Sequence, residues 1–124
     1  MRADAGPPAR SAITIARSVA DSAMSHQDVT GLDGGLAGEF ATYGLGGRVV
    51  GVRVDLGRDG RAHIRVRLVV RFGASIPAVG DEVRSRVLAG LREFDVDGSV
   101  HVHVADITDV AQSGDPRSLD SGTA

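Results

Sequence analysis

The sequence predicts a small α+β domain, with two helices packed on one face of a three- or four-stranded sheet. Three observations lead there. Residues 49–72 hold two runs of apolar–polar alternation separated by Gly57-Arg58-Asp59-Gly60. Residues 76–94 carry apolar side chains at helical spacing, and Val100, Val102 and Val104 alternate with His101 and His103 near the end. Alternation of period two marks a half-buried strand, and a three-to-four spacing marks an amphipathic helix. Residues 49–107 therefore read as a strand–strand–helix–strand unit, and helices layered on one sheet face bury the apolar side of both.

Taken in order, residues 12–15 fit a very short opening strand, and Thr14 then fits the N-cap of a helix to about His26. Ile15, Val19 and Ala23 fall on one face of that helix. Residues 27–48 contain Gly31, Gly34, Gly35, Gly38, Gly44, Gly46 and Gly47 and read as a long glycine-rich loop. Loops of that length in a compact domain are usually functional or disordered. Leu36, Phe40 and Tyr43 have near-helical spacing and fit a short amphipathic turn inside it.

Along residues 49–56, Val50, Val52, Val54 and Leu56 share one face, and Val49, Gly51, Arg53 and Asp55 the other. Asp59-Gly60 is a hairpin signal. The return strand, residues 61–72, puts Ala62, Ile64, Val66, Leu68, Val70 and Phe72 on its core face. Its reverse face carries Arg61, His63, Arg65, Arg67, Val69 and Arg71. Gly73-Ala74 ends the strand, Ser75 fits an N-cap, and Pro77 sits in the first helical turn, where its missing N–H costs nothing. Ile76, Val79, Val83, Val87, Leu91 and Phe94 mark the buried stripe of the second helix. Residues 95–98 turn the chain into the last strand. The expected order is (β)αββαβ; with its optional first strand it matches a ferredoxin-like arrangement. Residues 1–11 and 108–124 are expected to be disordered tails, leaving 12–107 as one domain.

Composition narrows the chemistry. The chain has 124 residues, room for one domain. Hydrophobic residues make up 42% and aromatics 3%, so the core must be built from Val, Leu, Ile and Ala. With no Cys, disulfides, thiolate catalysis and Cys-ligated metal sites are excluded, which fits the cytoplasm. All 14 basic residues are Arg, so neither a Walker-A loop nor a Schiff-base lysine exists. A net charge of −2 argues against a wholesale nucleic-acid binder. No apolar run reaches the length of a membrane span, and the acid and prolines of the first eight residues do not read as a signal peptide.

The Gly51-Val-Arg-Val-Asp55 run, the strand ending Val-Val-Arg-Phe-Gly73, the following Ala-Ser-Ile-Pro-Ala-Val79 and the final Val100-His-Val-His-Val104 resemble the alkaline-shock-protein (Gls-type) family of bacterial envelope stress-response proteins. An entry helix followed by Val29-Thr30-Gly31 is similar to the family's own, so the likeness covers about residues 12–107. Its most specific element, Gly-x-Ser-Ile-Pro from Gly73 to Pro77, is a structural junction. The glycine-rich stretch departs from the family by being less basic. The resemblance implies a non-enzymatic role at the cell envelope, without a cofactor, through self-association or a membrane-associated partner at the inner face of the membrane.

The reverse face of the sheet is the candidate surface. Arg53, His63, Arg65, Arg67, Arg71, His101 and His103 would share it, with Asp55 as the one acid among those positions. The plainest reading is a solvated face whose charges discourage edge pairing. The functional reading is a protein-partner surface, and the alternative is a nucleic-acid surface. Against the last, this face has no aromatic residue for base stacking. Gly31-Leu-Asp-Gly34 and Gly35-Leu-Ala-Gly38 each fit a Gly-x-x-Gly backbone grip, a weak pattern in a glycine-rich stretch, and Asp33 would repel phosphate. His101 and His103 point the same way and would need His63 or Asp106 as a third metal ligand, with Arg side chains opposing a cation; two exposed imidazoles is the simpler reading. Asp81 and Glu82 are adjacent, so they fall on different helix faces and read as solvated surface. No nucleophile elbow and no zinc-protease motif is present.

Overall fold

A computed structural model of the chain describes residues 11–108. The two expected tails lie outside the described residues except for Ser11 and Thr108, which belong to the folded unit. Helix α1 (Ala12–Met24) is followed by strands β1 (Val29–Leu32), β2 (Ala41–Gly44), β3 (Gly47–Val50), β4 (Val52–Leu56) and β5 (Ala62–Arg71). Helix α2 (Ile76–Arg92) and strand β6 (Gly98–Thr108) complete it.

The α+β class is as expected, but residues 12–15 form no strand. Ser11, not Thr14, caps α1, and its hydroxyl accepts from the Thr14 amide at 3.3 Å. Helix wins because Ile15, Ala16, Val19 and Ala23 then share one stripe on the core, which an extended segment would split between two faces, while Ile13 is buried on another side of the helix, beside Gly44 of the β2–β3 hairpin. The ferredoxin-like order therefore lacks its opening strand.

Strand β5 is the spine of the sheet. Along one side β6 runs parallel to it from Ala62↔Gly98 to Arg71↔Thr108. Along the other side two antiparallel strands lie end to end. Strand β4 covers the first half, from Leu56↔Ala62 to Val52↔Val66, and β1 covers the second, from Leu32↔Leu68 to Val29↔Val70. At the seam the Arg67 amide donates to the Gly51 carbonyl at 3.0 Å, and the Asp33 amide donates to the Arg67 carbonyl at 2.9 Å. The β2–β3 hairpin stands apart as a two-stranded ribbon. It is tied to β4 by buried Thr42, whose hydroxyl donates to the Val52 carbonyl at 2.6 Å and accepts from the Val54 amide at 3.0 Å.

Residues 27–48 are thus three strands and their connections, not one long loop, and Leu36, Phe40 and Tyr43 form no helical turn. The expected continuous strand over residues 49–56 is also broken. Gly51 takes a φ of +87°, and the chain changes sheets there. The alternation slips with it: Val49 packs against the core while Val50 does not, the reverse of a straight strand.

Both helices pack against the β4–β5–β6 face. The buried stripe of α2 is Val79, Val83, Val87 and Leu91, and β5 contributes Ala62, Ile64, Val66, Leu68 and Val70, all fully buried. Every buried apolar residue described is Ala, Val, Ile or Leu, as the composition requires. Phe72 and Ile76, placed in the core by periodicity, are exposed: Phe72 lies one residue past the end of β5, and Ile76 is the first residue of α2, one turn before the stripe is buried at Val79. Ser75 caps α2 as expected. Ser75→Ala should cost about 1 kcal/mol of stability, read as a lower urea midpoint with unchanged slope.

Candidate interaction face

Register places the candidate residues in rows across the uncovered side of the sheet. Directly paired residues point to the same face. One row is Asp55–His63–Ser99, the next Arg53–Arg65–His101, and the third ends in Arg67–His103. Arg71 lies beyond them, opposite Thr108. All seven predicted residues therefore share one surface, and none of them is buried.

Their partners were less legible. Arg67 is held by Asp33, with Nε and Nη2 donating to Oδ2 at 3.0 and 2.9 Å. Arg71 is paired with Asp28. Arg53 and Arg65 share Asp55 only loosely, at 4.0 and 3.9 Å. Four guanidiniums thus face three carboxylates, and the two least engaged, Arg53 and Arg65, stand side by side with His101. Asp33 does not stand free to repel an anion; its charge is matched by Arg67. His63 Nδ1 lies 3.0 Å from the Ser99 hydroxyl.

An aromatic ring completes the face. Phe40 arrives from the segment before β2, and the Arg65 and Arg67 guanidiniums lie 5.7 and 5.5 Å from its ring centroid. Its backbone is fixed at both ends: the Phe40 amide donates to Gly34 at 2.8 Å, and its carbonyl accepts from Gly51 at 2.7 Å. The expectation that this face lacks an aromatic is corrected. Strand alternation cannot report a residue delivered by a connection, and the near-helical spacing of Leu36, Phe40 and Tyr43 pointed the other way. Guanidinium–ring contacts at exposed sites are each worth about 0.5–1 kcal/mol, so the ring chiefly orients the two arginines.

A second polar cluster lies outside the face. His26, 4% exposed, accepts from the Asp28 amide at Nδ1 (3.0 Å), which leaves the proton on Nε2 to donate to Glu82 at 2.5 Å. Glu82, read from the sequence as solvated helix surface, is largely exposed but ties α2 to the end of α1. Among the described residues, no three His, Cys, Asp or Glu side chains converge as a metal site; His101 and His103 gain no third ligand from His63 or Asp106. None of the described helices is long and apolar enough to cross a membrane.

The fold and face define an α+β module with an open, arginine-rich sheet surface. Comparison with protein-family models, curated proteins and solved structures returned no match for this chain.

Proposed function

We propose that the chain is a non-catalytic envelope stress-response module, working at the inner face of the cell membrane by self-association or by docking to a membrane-associated partner. The observation that carries the docking reading is the row Arg53–Arg65–His101 beside Phe40, with two loosely paired guanidiniums aimed at solvent from a rigid sheet. A surface of that kind fits an acidic segment of a protein, since guanidiniums bind carboxylates in a forked geometry and a ring beside them supplies apolar contact. The envelope assignment rests on the resemblance of the strand–Gly-Ala-Ser-Ile-Pro–helix junction and the final strand.

Joint replacement Arg53→Glu and Arg65→Glu is expected to abolish capture of the partner from an envelope fraction, with the melting temperature kept, because neither side chain enters the core. Equal capture by both proteins would remove the face from the account. Phe40 also favours a second reading, a single-stranded nucleic-acid surface, because a ring can stack bases. The interleaved Asp28, Asp33 and Asp55 weigh against it. Titration of a labelled oligonucleotide at low salt separates the two: nucleic-acid binding would show a steep loss of affinity with salt, whereas protein docking predicts no binding.

A further inference from the structure

Strand β6 is an edge. It pairs with β5 alone, and among the described residues no strand pairs its outer side. The Asp97 carbonyl accepts from Ala62 on β5 at 2.8 Å, and the Val100 carbonyl accepts from Arg84 Nε at 3.2 Å. In a parallel ladder successive residues direct their backbone groups to alternate sides. The N–H and C=O groups of Val100, Val102 and Val104 therefore point away from β5, and of these groups only the Val100 carbonyl is capped by Arg84.

Beside this edge runs a groove of about 510 Å³, walled by Ile76, Pro77, Gly80 and Arg84 of α2 and by Val102 and Val104. Ile76 is 40% exposed in it. Gly80 lies inside the helix with open space where a Cβ would stand. Glycine there costs about 1 kcal/mol of helix stability relative to alanine, and it leaves bare backbone on the groove wall. The usual defences of an edge, Lys, Pro and fixed charge, are missing from residues 99–104. A bulge follows, where the register passes from Leu68↔Val104 to Val69↔Asp106.

We propose that this edge pairs antiparallel with β6 of a second copy of the chain, about a twofold axis at Val102, joining two sheets into one. The choice of occupant comes from the strand itself. Val100-His101-Val102-His103-Val104 reads the same in both directions. Antiparallel pairing centred on Val102 sets valine against valine on the groove side and imidazole against imidazole on the open side. A twofold contact requires a surface that complements itself, and this palindrome does so residue by residue. The groove rim holds one acid, Asp81, and one base, Arg84, so two copies meet without excess charge of either sign. The inference rests on the assembly reading above and names its contact; it also merges the two arginine-rich faces into one surface.

Light scattering and sedimentation of the full chain at high micromolar concentration test it, and a dimer is expected. Val102→Pro removes an outward N–H from each copy at an edge position where proline is tolerated. It should weaken association about thirtyfold or more. Gly80→Lys should do the same by filling the groove, while raising helix propensity and keeping the melting temperature. Arg65→Glu should leave the dimer intact, so loss of partner capture and loss of the dimer are separable failures. A monomeric unmodified chain overturns the proposal, as does a dimer that survives both Val102→Pro and Gly80→Lys. A dimer lost through Arg65→Glu alone overturns it as well, by moving the contact to the open face.

Discussion

Leu68→Ala is expected to lower the unfolding free energy by about 3–5 kcal/mol, enough to leave a domain of this size largely unfolded on moderate warming. Leu68 is fully buried at the middle of the spine strand, with Leu32 on one side and Val104 on the other. Its side chain belongs to the core cluster that both helices share, and every buried apolar residue described in that cluster is Ala, Val, Ile or Leu. Truncation therefore loses both the transfer free energy and the contacts around the cavity. Urea denaturation followed by circular dichroism would show the midpoint falling steeply. Phe72→Ala is the control. Simple alternation puts Phe72 on the same face as Leu68, but it is 71% exposed, so its loss should change stability by no more than about 0.5 kcal/mol. Equal losses from the two substitutions would contradict the burial pattern described above.

Gly51→Ala should cost about 2–4 kcal/mol, combining left-handed backbone strain with overpacking. At φ +87° a Cβ on residue 51 would lie 2.5 Å from the Leu32 Cβ and 3.2 Å from the Asp33 amide nitrogen. Neither neighbour is the end of a flexible side chain. The same residue accepts from the Arg67 amide and donates to the Phe40 carbonyl. Its displacement should therefore loosen Phe40, Asp33 and Arg67 together, weakening partner capture as well as the fold. Amide exchange resolved by residue would test this: Arg67 should lose protection beyond that of Ile64 and Val66, and uniform loss along β5 would mean a purely global effect.

The candidate face was legible from the sequence in part. Odd-numbered positions of residues 61–71 and the two histidines of the last strand had to share a side once their strands were recognised, because side chains alternate with period two. The partners of those residues were not legible. Asp28, Asp33 and Phe40 lie in a segment whose glycines break any period, so nothing local says where each side chain goes. His26 was missed for a related reason. It follows the helix, with no repeat to place it, and its partner Glu82 is more than fifty residues away.

By itself the sequence determined the α+β class, the buried stripe of α2, the core face of β5 and an aliphatic core. These follow from local periodicity and composition, which hold wherever the segments pack. Only the tertiary structure decided what the glycine-rich residues 27–48 become. Strand β4 is too short to cover its side of β5, and β1 takes up the second half of that edge, satisfying backbone groups that burial would otherwise leave unpaired. That pairing carries Asp28 and Asp33 to the arginines, and Gly51 then hands the chain from the hairpin to the main sheet and holds Phe40 beside them. Contacts between distant residues depend on the route the chain takes, and the route here is set by an open strand edge rather than by any pattern in the segment that fills it.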